Sequence, residues 1–327
     1  MYLTLNLKEM LKTTEPVIAI VVPCYNEESA LKHTMPELLK ILSNLAEKGD
    51  ISEESYILCV DDGSRDATWR DICALASSYP GRVHGVALAH NRGHQYALLA
   101  GLMTAKENCD AAISIDADLQ DDPQAIVAMV KQFKAGSEIV YGVRRSRETD
   151  TWFKRNSARA FYKLQRAMGL ETVYDHADYR LMSKRALDIL SEYGEQNLFL
   201  RGIVPQIGLT TSIVYYDRAE RVAGESKYPF KKMLAFSIDG ITSFSAKPMQ
   251  WIFNIGILIL AVDIIVAIYV LVSHFCGNTV SGWSSLMLSV WFLGSLILIA
   301  IGVVGEYVGK MFMEVKHRPR YNIRDRV

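Results

Sequence analysis

Apolar residues in the first two thirds of the chain occur in short runs that alternate with helical patterns. The strand-like runs cover residues 17–22, 56–60, 83–87, 111–115 and 139–141. Segments with helical periodicity lie between them, at residues 28–47, 67–78, 94–107 and 123–135. This alternation is typical of an α/β fold with a mainly parallel sheet. We therefore predict a sheet of this kind in a domain that spans residues 1–229.

The last third of the chain is much more apolar and contains two long runs, at residues 251–272 and about 286–307. A 22-residue helix is roughly 33 Å long, which is enough to cross a hydrocarbon core of about 30 Å. These runs predict a transmembrane hairpin within residues 249–309. A buried helical hairpin of a soluble protein is the alternative.

Charged residues indicate how this hairpin would be oriented. Lysines precede the first run, and the segment 310–327 after the second run is basic. By the positive-inside rule, the catalytic domain, the basic tail and both termini would face the cytoplasm, so we predict a multi-pass protein of the cytoplasmic membrane. Residues 230–248 alternate lysines with large apolar residues at helical spacing, which predicts an amphipathic helix at the bilayer interface. For Asp263, in the middle of the first run, an interhelical hydrogen bond and a functional role both remain open.

Composition gives no indication of nucleic-acid binding, of a disulfide framework or of a zinc site. The chain has 36 basic and 36 acidic residues, so its net charge gives no indication of nucleic-acid binding. The five cysteines form no CxxC pair and are odd in number, which is typical of reduced thiols rather than of a disulfide framework or a zinc site.

Carboxylates cluster directly after the fourth predicted strand, in the sequence DADLQDDP that begins at Asp116. In open α/β folds, ligands bind at the carboxyl ends of the strands. Oxygen ligands at such a point suit Mg²⁺ or Mn²⁺, and either cation suits a diphosphate. A solvated acidic turn is the alternative interpretation.

The other predicted strands also end in polar segments: PCYNEE from Pro23, DDGS from Asp61 and NRGHQ from Asn91. Neither GxGxxG nor the P-loop motif occurs in the chain. An aspartate at the end of the second strand can still accept hydrogen bonds from a ribose or a base edge. An Asx turn followed by a helix cap is compatible with that role.

In this order, these four strand ends resemble the inverting glycosyltransferases of family 2. The sequence DHADYRLM from Asp175 is similar to the family segment that carries the acceptor-side aspartate, and RAERVAGESKYP from Arg218 is similar to the motif that closes over phosphate. The sequence DGITSFS from Asp239, followed by two apolar runs, resembles the subgroup that glycosylates polyprenyl phosphate. The similarity is greatest to bactoprenol glucosyltransferases and weaker to dolichyl-phosphate mannose synthases. It implies a Rossmann-like nucleotide-sugar domain of the GT-A type.

The resemblance also implies roles for individual residues. Asp178 would be the catalytic residue that faces the anomeric carbon and the acceptor. The cofactor, Mg²⁺ or Mn²⁺, would be held by Asp116, Asp118 and Gln120. The residues that would bind the nucleotide sugar are Pro23, Tyr25, Asn26, Glu27, Asp61, Asp62 and Asp116. The residues that would bind phosphate or the acceptor are Arg144, Arg201, Arg218, Arg221, Ser226 and Lys227.

The implied reaction transfers a hexose, with inversion, to undecaprenyl phosphate and supplies a lipid-linked sugar for the cell envelope. UDP-glucose is the donor that the resemblance favours, while GDP-mannose, UDP-GlcNAc and a UDP-amino sugar remain open. The partners would be the donor, the lipid acceptor, the bilayer and, in keeping with the glycines of the apolar runs, further copies of the chain. The QxxRW motif of processive synthases is missing, and Ala177 stands where the subgroup often has glycine. A non-catalytic membrane scaffold is the alternative from another functional class.

The chemistry of the acceptor bears on the role of Asp178. A phosphate monoester has a second pKa of about 6 and is largely ionised near pH 7. Such a nucleophile hardly needs a base. We therefore expect Asp178 to orient the acceptor or to stabilise positive charge at C1, with proton abstraction secondary.

Overall fold

The structure of the chain is a computed structural model. It describes residues 15–145, 176–196, 198–217 and 282–327, together with residues 249, 251–252, 254–259, 261–262, 264–265 and 268. These residues fall into two compact units. The first contains every strand described below, including the C-terminal tail Pro319–Val327, and the second contains the long apolar helix near the C-terminus.

The strands and helices alternate along the first half of the chain, as the apolar pattern predicts. The strands are β1 (Ile18–Cys24), β2 (Tyr56–Asp61), β3 (Val83–Leu88), β4 (Ala111–Ser114), β5 (Ile139–Arg144), β6 (His176–Ser183), β7 (Thr211–Tyr216) and β8 (Ile323–Arg326). The helices are α1 (Glu28–Glu47), α2 (Thr68–Ser78), α3 (His94–Ala105), α4 (Ala125–Lys134), α5 (Lys184–Glu192), α6 (Leu200–Ile203) and α7 (Trp283–Val315), and the 3₁₀ turn Val204–Ile207 follows α6.

The eight strands form one sheet in the order β7-β5-β6-β4-β1-β2-β3-β8. Strands β6 and β8 are antiparallel to their neighbours, and the other pairs are parallel. The predicted α/β fold with a mainly parallel sheet is therefore confirmed. Strands β6, β7 and β8 were not predicted. Charged residues interrupt the apolar pattern of β6 and β8, whereas β7 has the strand-like sequence TSIVYY and was missed.

The centre of the sheet forms the hydrophobic core, since helices cover both of its faces. Every residue of β1 and β2 is buried, which is typical of parallel strands enclosed by helices. Helix α3 packs very closely on these strands at Gly101. A Cβ atom added there would lie 2.3 Å from Val21 Cγ1 and 2.7 Å from Val60 Cγ2. Only glycine fits this contact, which fixes the start of α3 relative to the carboxyl ends of β1 and β2.

Among the described residues, one helix is long and apolar enough to cross a membrane. It is the segment Phe292–Val315 of α7, with a mean hydropathy of 1.9, and its large apolar side chains such as Leu298 and Ile299 are exposed. The second predicted apolar run lies within α7. The described residues between 249 and 268 are helical, but other residues of the first predicted run lie outside the description. The two-helix hairpin therefore stays a prediction.

Candidate active site

The loops after β1, β2, β3 and β4 lie at one edge of the sheet, because these strands are parallel neighbours. Each loop contains one residue with a positive φ angle: Asn26 (57°), Gly63 (68°), Gly93 (93°) and Leu119 (47°). Asn26 and Leu119 are not glycines, so this conformation stores strain, and strained backbone clusters at functional sites. The edge where the sequence predicts ligand binding therefore carries two non-glycine residues in a strained conformation.

The loop after β1 is held by the loop after β2. The backbone N–H of Asn26 donates to Ser64 Oγ at 2.9 Å, and Asn26 Oδ1 accepts from the backbone N–H of Arg65 at 2.9 Å. The backbone N–H of Glu27 donates to Thr68 Oγ1, also at 2.9 Å. Of the predicted nucleotide-binding residues in this loop, Pro23 is buried within β1 and Tyr25 is exposed. The structure thus brings these residues to the edge of the sheet.

The aspartates at the end of β2 are buried and hold nearby backbone in place. Asp61 Oδ1 accepts from the backbone N–H of Ser64 at 3.1 Å. Asp62 accepts from the backbone N–H groups of Arg92 at 2.7 Å and of Gly93 at 2.8 Å. Burial raises the pKa of Asp62, and these two hydrogen bonds offset the rise only in part. Asp62 therefore connects the loop after β2 to the loop after β3.

The acidic motif after β4 leaves two carboxylates accessible. The side chain of Asp116 is 47% exposed. Asp118 is partly exposed, and its Oδ2 accepts from Nε2 of the buried Gln120 at 2.7 Å. The pKa of Asp116 is raised, because the surrounding protein displaces part of its hydration and the carboxylates of Asp178, Asp121 and Asp118 add to the rise, while His94 opposes it. Repulsion between neighbouring carboxylates is what a bound cation would relieve.

These carboxylates fit a divalent cation held jointly with a substrate. Among the described residues, no group of three or more His, Cys, Asp or Glu side chains is arranged to hold a metal ion. Mg²⁺ is commonly bound by one or two carboxylates together with the phosphates of a substrate. The hard oxygen donors of Asp116 and Asp118 suit that kind of site, and Gln120 positions Asp118.

Asp178 lies on β6 and is the most densely paired carboxylate of this edge, with 6% of its side chain exposed. Its Oδ1 accepts from Arg180 Nη2 at 2.6 Å, and its Oδ2 accepts from Arg201 Nη2 at 3.1 Å. Gln95 Nε2 lies 3.4 Å and His94 Nε2 lies 3.6 Å from Oδ2. Four side chains from β6, α6 and the start of α3 therefore converge on one anion.

This environment keeps Asp178 ionised. Burial acts to raise its pKa, but the interaction with His94 and the charges of Arg201 and Arg180 outweigh burial and hold the pKa well below its usual value. A carboxylate of this kind is a weak base. The structure therefore favours a role for Asp178 as a fixed negative charge.

His94 connects Asp178 to the acidic motif. Its Nε2 lies 3.7 Å from Asp116 Oδ1 and 3.6 Å from Asp178 Oδ2. Burial disfavours a charge on His94, but Asp178 and Asp116 outweigh this effect and raise its pKa. One side chain thus spans the predicted donor carboxylate and the predicted catalytic carboxylate.

Arg144 lies at the end of β5 and pairs with the acidic motif. Its Nε and Nη2 donate to Asp121 Oδ1 at 3.1 and 3.0 Å, and Asp121 is buried. Of the predicted acceptor residues, Arg201 therefore lies at Asp178, whereas Arg144 lies at Asp121. The others, Arg218, Arg221, Ser226 and Lys227, lie outside the described residues, as do Asp263 and residues 230–248.

Sequence reasoning missed His94, Gln95 and Arg180 as site residues. His94 and Gln95 belong to the NRGHQ segment after β3, but nothing in that segment shows that it faces Asp178 across the sheet. Arg180 could have been found, because it is two residues from Asp178 and so lies on the same face if the segment is a strand.

A cavity of about 360 Å³ lies elsewhere in this unit. Its lining includes Tyr56, His84 and Val327, near the amino ends of β2 and β3. It is therefore remote from Asp178, and the candidate site is the open edge at the carboxyl ends of the strands.

The sheet is Rossmann-like and mostly parallel, as in the GT-A type, with an acidic motif after β4 and a paired aspartate on β6. The chain belongs to glycosyl transferase family 2, whose model matches residues 19–190. It is 50% identical to the glycosyltransferase YkoT of Bacillus subtilis over 313 residues, covering 96% of this chain and 93% of YkoT. It is 38% identical to the bactoprenol glucosyl transferase of Shigella phage SfV over 310 residues, which cover 94% of this chain and 98% of the phage protein. Among solved structures, it is similar to the mannosyltransferase PcManGT of Pyrobaculum calidifontis, with a TM-score of 0.45 and 15% identity. The match covers 95% of this chain and 91% of PcManGT.

Proposed function

We propose that this glycosyltransferase transfers a hexose from a nucleotide sugar to polyprenyl phosphate, with inversion at the anomeric carbon. The observation that carries the proposal is that His94 lies between Asp116 and Asp178, so that an accessible carboxylate and a buried, ionised one share one neighbour at the carboxyl edge of the sheet. The name of the SfV relative supports bactoprenol phosphate as acceptor and glucose as the sugar. UDP-glucose is the donor that we propose.

The reaction is an in-line displacement. An oxygen of the lipid phosphate forms a bond to C1 of the sugar while the bond from C1 to the diphosphate oxygen breaks, and the nucleoside diphosphate leaves with that electron pair. Since the acceptor is already ionised near neutral pH, no proton must be removed. The ionised Asp178 would stabilise the positive charge that develops at C1.

The two arginines at Asp178 have different accessibilities, which suggests different roles. Arg180 is 2% exposed and remains a fixed partner of Asp178. Arg201 is 39% exposed and can reach an incoming phosphate, which a guanidinium binds through two parallel hydrogen bonds. We propose Arg201 as an acceptor-binding residue, with Arg144, Arg218, Arg221, Ser226 and Lys227 as the further candidates that the family resemblance supplies.

The remaining site residues are proposed on the same basis. Asp116, Asp118 and Gln120 would hold Mg²⁺ or Mn²⁺, and the cation would supply positive charge to a leaving diphosphate. Pro23, Tyr25, Asn26, Glu27, Asp61, Asp62 and Asp116 would line the nucleotide pocket. A lipid acceptor requires the enzyme at a bilayer, and the apolar α7 supports a membrane location. The two-span topology, with the catalytic domain on the cytoplasmic side, is part of this proposal.

The direct test is incubation of the purified full-length protein with undecaprenyl phosphate and a panel of radiolabelled nucleotide sugars, with Mg²⁺ or with EDTA. We expect label in an organic-soluble product from UDP-glucose only when the metal is present. Product labelled from another nucleotide sugar would identify that sugar as the donor in place of UDP-glucose and would leave the proposed reaction class unchanged. Absence of a lipid-linked product from every donor would contradict the proposed function.

A further inference from the structure

The C-terminal tail, Pro319–Val327, adds a strand to the catalytic sheet. Strand β8 pairs antiparallel with β3, Asn322 O accepts from the backbone N–H of Ala89, and Val327 exchanges two backbone hydrogen bonds with Gly85 at 2.8 and 2.9 Å. The side chain of Val327 occupies the space over Gly85, where an added Cβ would lie 2.8 Å from Val327 Cγ2. The tail is therefore a built part of the sheet and lies beside the strand that leads to His94.

Arg92 joins this tail to the loop after β3. Its Nε donates to the carbonyl oxygen of Arg320 at 2.8 Å, and its Nη2 donates to that of Pro319 at 3.2 Å. The guanidinium also lies 5.6 Å from the centre of the Tyr96 ring, within the range of a cation–π interaction. The backbone N–H of the same Arg92 donates to Asp62.

The contacts continue from the tail to α6. Arg320 Nη2 donates to the carbonyl oxygen of Tyr193. The hydroxyl of Tyr96 donates to the carbonyl oxygen of Gln196, and the Leu200 backbone N–H donates to Gln95 Oε1 at 3.0 Å. The tail, the loop after β3, the first turn of α3 and the segment before α6 thus form a closed ring of contacts.

The ring includes or directly adjoins three residues that contact Asp178. His94 and Gln95 directly follow Gly93, and Arg201 directly follows Leu200, so two segments of the ring carry partners of Asp178. We propose that Arg92 is a positioning residue, which fastens the C-terminal tail to the loop after β3 and so sets His94 and Gln95 against Asp178. This inference rests on the proposed function for its catalytic consequence, but the attachment itself can be measured without catalysis.

The attachment is tested by hydrogen exchange of the full-length protein. Arg92→Ala removes both hydrogen bonds to the tail, whereas Arg92→Lys retains the charge and can replace only one of them. We expect faster amide exchange in the alanine variant, in peptides covering residues 90–96 and 319–327. The exchange rates of the lysine variant should lie between those of the alanine variant and the wild type. The matched control is Arg324→Ala, since Arg324 pairs with its neighbour Asp325 in the same tail.

The catalytic consequence is tested by steady-state kinetics on the same variants. We expect Arg92→Ala to lower kcat by about 10- to 100-fold, because small displacements of catalytic groups are costly, with the KM for the lipid acceptor nearly unchanged. Arg320→Ala opens the same ring at Tyr193, so adding it to Arg92→Ala should lower kcat little further. If the Arg92→Ala variant does not fold, Arg92→Lys, which retains the charge and at most one of the two hydrogen bonds, is used for both measurements.

Normal exchange in the Arg92→Ala variant overturns the attachment. Faster exchange with wild-type kcat overturns the positioning role, and a fall in kcat without faster exchange indicates direct action of Arg92 on the substrate and also overturns it. If the wild-type protein transfers sugar to no lipid acceptor, the proposed function fails, while the exchange experiment still decides whether Arg92 holds the tail.

Discussion

Arg180 Nη2 lies 2.6 Å from Asp178 Oδ1, and both side chains are almost fully buried. They are two residues apart on β6, so the strand places them on the same face. A buried ion pair of this kind contributes little net stability as a pair, but loss of one partner leaves an uncompensated charge. The pair therefore keeps an anion inside a protein core, where Arg201 and His94 also contact it.

Asp178→Asn tests the role of this charge. We expect the transfer rate to fall by about 10²- to 10³-fold, the cost of removing one electrostatic contact to a transition state. The loss should be similar from pH 6 to pH 9, since the acceptor is ionised over most of this range. The pH–rate profiles of the purified wild type and variant measure this loss. Recovery of the variant above pH 8 would show instead that Asp178 acts as a base.

The ionisation of Asp178 also predicts how stability depends on pH. Its pKa is lower in the folded chain than the value of about 3.9 in an unfolded one. The stabilisation is therefore fully present above about pH 4 and is lost as the pH falls towards the folded pKa. Between pH 7 and pH 3, the melting temperature of the wild type should fall more steeply with decreasing pH than that of Asp178→Asn. Equal slopes would contradict the prediction.

Arg180→Met and Arg201→Met form a matched pair of variants. Arg180 is buried, so its loss should lower the free energy of unfolding by about 3 kcal/mol. Arg201 is 39% exposed, so its loss should cost less than about 1 kcal/mol while raising the KM for the lipid acceptor. Denaturant unfolding and steady-state kinetics measure the two effects. Similar destabilisation by both variants would refute the separate roles.

Asp118→Asn tests the proposed cation site. We expect activity to disappear in EDTA and to return with Mg²⁺ or Mn²⁺, and we expect the variant to need at least about tenfold more metal, since a neutral amide is a weaker ligand. Metal titrations of the transfer reaction measure this requirement. Asp71→Asn, on the surface of α2, is the control and should match the wild type. Full activity in EDTA would eliminate the cation from the mechanism.

Gly101→Ala tests the close packing of α3 on the sheet. Alanine gains about 1 kcal/mol in helix propensity, but a Cβ at 2.3 Å from Val21 Cγ1 forces a displacement that costs about 1–3 kcal/mol or more. We expect net destabilisation and a lower melting temperature. Gly194→Ala is the control, because nothing lies within 4 Å of its added Cβ. A variant at Gly101 as stable as the wild type would show that the helix can shift.

The amino-acid sequence determined the α/β architecture, the acidic motif after β4 and the apolar C-terminal helix. These features could be predicted because they depend on local patterns: runs of β-branched residues, helical periodicity and motifs at the ends of strands. Only the tertiary structure decided that β6 lies between β4 and β5, which brings His94, Gln95 and Arg201 to Asp178. The same holds for β8, since the tail Pro319–Val327 reaches β3 across more than 230 residues of sequence. Contacts of this kind depend on which strands become neighbours in the sheet, and residue spacing along the chain carries no information about that choice.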